Sequence, residues 1–148
     1  MIKENNFSTI SSLPLKKVPL SNMTRGLTTG SILKCIDGSG VVLVEIIGVL
    51  HRGNTAKRNI SAGVGHIIRV AVKRGTNKGK MELALITTTK RKFYRASQGV
   101  RVMFQKNTCV LVEKSKKLYQ LKNNNIKYPV AKECLQTVPA IRKYVTVC

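Results

Sequence analysis

The chain has 148 residues, enough for one modest core and little more. It carries 27 Lys+Arg against 6 Asp+Glu, a formal net charge of +21, while 43% of its residues are hydrophobic. That hydrophobic share excludes a disordered polycation. The charge imbalance costs self-repulsion in a folded domain and points to a polyanionic partner, nucleic acid first and an anionic membrane surface second.

Residues 1–27 are rich in Ser, Thr, Asn and Lys and are interrupted by Pro14 and Pro19. An extended tail is expected there, ordered by a partner if at all. A single β-barrel domain with a C-terminal helical appendage is expected over 28–148. No apolar signal-peptide core follows Met1–Asn6, so a cytosolic chain is expected. A mitochondrial presequence is the alternative, and Glu4 and the scarcity of Arg stand against it. The longest apolar run, Val41–Leu50, is broken by Glu45 and Gly48 and is shorter than the roughly 18 residues of a membrane span.

The segment Ser31–Ile36 predicts a first strand, and Asp37-Gly38-Ser39-Gly40 a tight turn. Val41–Leu50 is almost continuously aliphatic, which predicts a strand buried over much of its length. His51–Ser61 is a basic loop carrying Arg52, Lys57 and Arg58. The next stretch, Ala62–Arg95, is the one the rest of the chain is expected to be organised around. Ala62-Gly63-Val64-Gly65 turns into a strand in which Ile68, Val70 and Val72 alternate with Arg69, Ala71 and Lys73. Arg74–Lys80 has two glycines, three cations and nothing apolar, so it is expected to be a solvated tip that orders only on assembly. Met81–Thr89 returns as a second strand and runs into Lys90-Arg91-Lys92-Phe93-Tyr94-Arg95. This ribbon carries cations at its tip and at its base, as a protein reaching into a polyanion would.

Gln98-Gly99 predicts a turn, Val100–Phe104 a strand, Cys109–Val112 a short strand, and Glu113–Lys122 a polar loop or irregular hairpin. Pro129 suits the first position of a helix over Val130–Gln136, and a second short helix starts near Pro139. Val130, Cys134, Leu135 and Val138 fall along one side of it, with Lys132 and Gln136 turned away. Many short strands with helix only at the end predict a mainly β fold, a small antiparallel barrel.

Catalytic and metal chemistry find no support. The six acidic residues are scattered, no C-x-x-C occurs among Cys35, Cys109, Cys134 and Cys148, and no Walker loop or G-x-S-x-G is present. No enzyme, no metal and no cofactor are expected. Reduced, mostly buried thiols are. The RNA contacts expected from the basic segments are Arg52, Lys57, Arg58, Lys73, Arg74, Lys78, Lys80, Lys90, Arg91, Lys92, Tyr94, Arg95, Arg101 and Lys106. Aromatics are only 5% and there is no Trp. Phe93-Tyr94 could stack on bases, but the simpler arrangement packs one ring and lays the other on the surface. Recognition of phosphates and shape in folded RNA is therefore favoured over reading of single strands.

Four segments resemble the L-fourteen family of large-subunit ribosomal proteins, numbered twenty-three in the older eukaryotic scheme, in its eukaryotic and archaeal branch. They are Gly30–Gly40 (GSILKCIDGSG), Ala62-Gly63-Val64-Gly65, Lys90–Arg95 followed by Gly99-Val100 and Phe104-x-x-Asn107, and Pro129-Val130-Ala131-Lys132-Glu133-Cys134. The resemblance runs from about Leu27 to about Arg142. Gly38, Val41, His66 and Tyr128 stand where the family usually has Asn, Ala, Asp and Gly, and the ribbon tip looks shortened.

The resemblance implies a closed five-stranded barrel with a projecting β-ribbon and short C-terminal helices. It also implies a structural role in the large ribosomal subunit, on its subunit-joining face. Its partners there would be large-subunit rRNA, neighbouring large-subunit ribosomal proteins, small-subunit rRNA through a bridge, and, in eukaryotes, the anti-association initiation factor six. No membrane partner is implied. Location would be the cytoplasmic ribosome, with nucleolar assembly in a eukaryote. The terminal helices would then be a protein-contact surface through Lys132, Glu133, Gln136, Arg142 and Lys143, or else a cap on the barrel. The alternative is a cationic RNA-binding or membrane-surface module outside the ribosome.

Overall fold

Alternating and β-branched segments become strands in the computed structural model, which describes residues 25–50, 60–95, 98–115 and 118–148. The expected tail up to residue 24 and the loop residues Arg52, Lys57 and Arg58 lie outside the described residues. The elements are β1 (Leu27–Thr28), β2 (Ile32–Cys35), β3 (Val41–Val49), β4 (Ser61–Ala62), β5 (Ile67–Gly75), β6 (Met81–Thr88), β7 (Phe93–Arg95), β8 (Val100–Val102), β9 (Thr108–Ser115) and β10 (Leu118–Leu121). Two short 3-10 helices, Lys132–Gln136 and Pro139–Lys143, end the chain.

Five strands close the barrel in the order β2-β3-β5-β6-β9, with β9 returning to β2. Four of the five junctions are antiparallel, and β2–β9 is parallel, pairing Lys34 with Thr108 and Cys35 with Cys109. This is the expected closed, five-stranded and mainly antiparallel barrel. Its one parallel junction follows from parity: strands alternating up and down around a ring of odd number must meet one neighbour pointing the same way.

Leu33, Val44, Ile68, Val70, Ala84, Ile86 and Leu111 fill the barrel. A second cluster lies outside the wall, where Leu85, Val110 and Val112 meet Phe93, Val130, Cys134 and Ile141. So residues 84–88 of β6 and 108–112 of β9 are buried on both faces, whereas β3 is not. Val41, Val44 and Ile46 of β3 are buried, but Val42 and Ile47 are exposed. The expectation of deep burial for Val41–Leu50 is corrected accordingly. Among the described residues Val42 and Ile47 belong to neither buried cluster, and register shifts interrupt the pairing of β3 with β5.

The hairpin expected over 62–95 forms, with Ile67 opposite Leu85 and Ala71 opposite Met81. It is built into the wall, flanked by β3 and β9. Two two-stranded ribbons are set apart from the barrel sheet, β1–β4 and β7–β8. The predicted irregular hairpin after Glu113 is β9–β10.

The first terminal helix begins at Lys132, with Ala131 as its extended N-cap, so Pro129 does not open it. The Val130 backbone is engaged by the end of the chain. Its N–H donates to the Thr146 carbonyl at 3.2 Å, and its carbonyl accepts from the Cys148 N–H at 3.0 Å. The stripe of Val130, Cys134, Leu135 and Val138 is buried as its spacing predicted. The second helix starts at Pro139, also as predicted.

Candidate nucleic-acid interface

The cations gather at the two ends of the β5–β6 hairpin. Lys73, Arg74, Lys78 and Lys80 are exposed at the tip. The tip is tied to the Asp37–Gly40 turn: the Thr76 N–H donates to the Gly40 carbonyl at 3.1 Å, and Thr76 Oγ1 to the Ser39 carbonyl at 2.9 Å. Gly75, at φ +114°, lies so close to that turn that a Cβ would sit 2.4 Å from the Gly40 carbonyl oxygen. The expectation that the tip orders only on assembly concerns the free protein; in the structure the tip rests on the Asp37–Gly40 turn. The turn is itself anchored by Asp37, which is buried. One carboxylate oxygen accepts from the Ser39 hydroxyl and N–H, and the other from the Leu111 N–H at 2.9 Å. Of the tip cations, Lys73 pairs with Glu45 at 2.5 Å, 57% of its side chain remaining exposed.

At the hairpin's other end, Lys90, Arg91, Lys92 and Lys106 are exposed. The Asn107 carboxamide accepts the Lys90 N–H at 2.8 Å and fixes the crossover. Arg91 reaches across to the Arg25 carbonyl, and its side chain lies against Gly26. On the β7–β8 ribbon, Tyr94 stands opposite Arg101, and both are exposed. Phe93 is buried under it, stacked on Phe104 at 6.3 Å between centroids. One ring packs and the other lies on the surface, the simpler of the two arrangements expected.

Arg95 is differently placed. Its guanidinium clasps Glu133 through Nε and Nη2, at 2.5 and 3.0 Å, and Nη2 also donates to the Cys148 carbonyl at 2.7 Å. Both side chains are nearly buried, 12% and 9% exposed. Arg95 and Glu133, expected to face RNA and protein respectively, form one internal strap between the β7–β8 ribbon and the first terminal helix. The spare donors of an arginine find the last carbonyls of the chain, which is why it turns inward. Lys132, Arg142 and Lys143 are exposed and Gln136 is half-buried.

Two residues escaped the sequence reading. Lys34 Nζ lies 5.3 Å from the Tyr128 ring centroid, and Lys106 Nζ lies 6.0 Å from it. The alternation of Ile32 and Lys34 could have flagged Lys34 as outward-facing. Tyr128 was visible only as a departure from glycine.

Among the described residues no group of three or more His, Cys, Asp or Glu could hold a metal ion, and no helix is long and apolar enough to cross a membrane. Cys35, Cys109 and Cys134 are free and buried, and Cys148 is free and exposed. A hydrogen bond with Cys35, then burial, pushes the Cys109 thiol well up. Burial, then the Glu133 charge, does the same to Cys134. His66, where an Asp is usual in the family resembled, accepts the Gly63 N–H on Nδ1 at 2.8 Å, so an acceptor for that turn is retained.

Residues 26–145 match the family described as ribosomal protein L14p/L23e. The chain is 36% identical over 124 residues to the large ribosomal subunit protein uL14 of Methanococcus maripaludis, covering 83% of this chain and 92% of the relative. It is 32% identical over 119 residues to the protein of that name in Picrophilus torridus, covering 80% and 88%. With that of Halorubrum lacusprofundi the identity is 30% over 127 residues, covering 85% and 94%.

Proposed function

The chain belongs to the L14p/L23e family of ribosomal proteins, and on that premise we propose that it is a non-catalytic structural constituent of the large ribosomal subunit, working in the cytoplasmic ribosome. The observation that carries this reading is the family match along the whole barrel. The charge distribution supports it. Lys73, Arg74, Lys78 and Lys80 at one end and Lys90, Arg91, Lys92, Lys106 and Arg101 at the other bind rRNA phosphates, and Tyr94 lies along the RNA beside Arg101. Arg95 is left out of this set because it straps the appendage. Neighbouring large-subunit proteins contact the terminal helices through Lys132, Gln136, Arg142 and Lys143, on the subunit-joining face. The same face contributes to a bridge with small-subunit rRNA and, in a eukaryote, receives the anti-association initiation factor six. Assembly in such a cell begins in the nucleolus.

Co-sedimentation with large subunits at physiological salt tests the core of this reading; a chain that stays at the top of the gradient overturns it. With purified rRNA fragments, about six neutralised phosphates give a log–log salt slope near −5, and a slope near zero removes the phosphate contacts. Charge reversal at Lys132 and Lys143 should weaken factor binding while assembly onto rRNA persists. Assembly failing first makes the helices structural.

A further inference from the structure

Beside the crossover end lies a cleft of about 220 Å³, walled by Tyr128, Pro129 and Phe104 and rimmed by Lys34, Lys106 and Gln105. No acidic side chain lines it. Two ammonium groups face one exposed aromatic ring, and the apolar wall is larger than a surface phosphate contact needs. The space is smaller than the roughly 300–1,000 Å³ of ordinary small-molecule pockets, which suits one planar ring system better than an extended ligand. Resting on the rRNA-binding reading above, we propose that this cleft takes a single unstacked nucleotide of bound RNA. The base stacks on Tyr128 against the Phe104–Pro129 wall, and the flanking phosphates are held by Lys34 and Lys106.

The exchange is chemically favourable at both parts of the site. Each lysine has the ring's π face near it, and a phosphate is a stronger partner for an ammonium group than a neutral ring. The ring in turn gains a base, whose π face it can cover whatever the base identity. The hydroxyls below the cleft are already engaged, Thr88 Oγ1 donating to the Lys106 carbonyl at 2.8 Å and bonding with the Thr108 hydroxyl. They offer no hydrogen-bond reading of a base edge. The site therefore selects an extruded nucleotide by stacking strength, adenine above uracil, and not by sequence. An acidic peptide would satisfy the lysines but leave the ring wall without a planar occupant.

The test uses the full chain and labelled tetranucleotides of adenosine, of uridine and of abasic ribose, read by fluorescence anisotropy at low salt. The adenosine strand should bind about tenfold more tightly than the abasic one, the scale of one base–aromatic stack. Tyr128→Phe should keep that preference, and Tyr128→Gly should abolish it. Lys34→Gln with Lys106→Gln should weaken both strands alike. Equal binding of adenosine and abasic strands overturns the proposal while leaving phosphate binding intact. So does a preference that survives Tyr128→Gly. An oligoglutamate that binds in a Tyr128-dependent way while the adenosine strand does not assigns the cleft to a protein partner and also overturns it. Co-sedimentation of the Tyr128→Gly chain with large subunits reads the parent proposal separately.

Discussion

The two ends of the β5–β6 hairpin carry similar charge and are built by different means. At the tip, Lys73, Arg74, Lys78 and Lys80 ride on a turn held by backbone contacts between Gly75, Thr76 and Gly40. Among the described residues, the hydrogen bonds that hold this turn involve no aromatic side chain. At the opposite end, Lys90, Arg91, Lys92 and Lys106 are accompanied by Tyr94 and Tyr128 and backed by the terminal helices through Arg95 and Glu133. A cationic surface without rings answers mainly phosphates, while one with rings can also stack on unpaired bases. Net charge alone does not tell these apart; the framework under the charge does.

The largest effect should come from disturbing the tip. Gly75→Ala places a Cβ 2.4 Å from a backbone oxygen at φ +114°. It should cost about 3 kcal/mol of stability, measured by urea unfolding. An unchanged midpoint would mean the tip is loose and the contrast between the two ends is false. At the far end, Glu133→Ala leaves the Arg95 guanidinium nearly buried without its carboxylate and should cost about 2–3 kcal/mol. In hydrogen exchange the loss should appear in residues 129–148 and spare β5. Uniform loss would show that the appendage and barrel unfold as one unit.

Much of this framework was legible in the chain. The alternation of Ile68, Val70 and Val72 fixed the facing of β5, and the spacing of Val130, Cys134, Leu135 and Val138 fixed the buried side of the appendage. What was illegible depends on pairs far apart in sequence. The Gly40–Gly75 approach joins two turns that are ordinary taken singly. Pro129 looks like a helix start because the competing partner, residues 146–148, is invisible locally. An aliphatic run such as Val41–Leu50 announces a strand but not how many faces are covered, which only the docking of the appendage on β6 and β9 decides. Arg95 reads as one more cation in a basic run, and its inward turn follows from Glu133 thirty-eight positions away.

The thiols supply a pH test of the join between barrel and appendage. Cys134 donates to the Ile86 carbonyl at 3.3 Å, tying the first terminal helix to β6, and both Cys109 and Cys134 are held above the usual thiol value. In the folded state they keep protons that the unfolded chain releases. Stability is therefore full below about pH 8.5 and falls as pH rises past it, by up to about 1.4 kcal/mol per pH unit for each thiol. Lys122, raised by its hydrogen bond with Glu82, adds to the loss only above about pH 10.4. Urea midpoints under reducing conditions should drop between neutral pH and about pH 10, less so in Cys134→Ala. A flat profile would show that solvent reaches both sulfurs.

The smallest expected effect gives the finest view of the tip. Lys73 and Lys78 both project from it, but Lys73 already has the Glu45 carboxylate at 2.5 Å. A cation paired with a protein carboxylate carries less free charge to the phosphate, and RNA must either share it or displace the carboxylate. Exposed pairs of this kind contribute little to stability, so neither substitution should move the unfolding midpoint by more than about 1 kcal/mol. Binding separates them. Lys78→Gln removes one counterion-releasing contact and should reduce the salt slope on single strands by about 0.7. Lys73→Gln should reduce it by clearly less, and Glu45→Gln should steepen it by freeing Lys73. All three readings should be the same for adenosine and abasic strands, because the hydrogen bonds of the tip turn, among the described residues, involve no ring to register a base. If Lys78→Gln changes the adenosine strand alone, base contact extends to the tip, and the two ends of the hairpin do not differ in the way their frameworks imply.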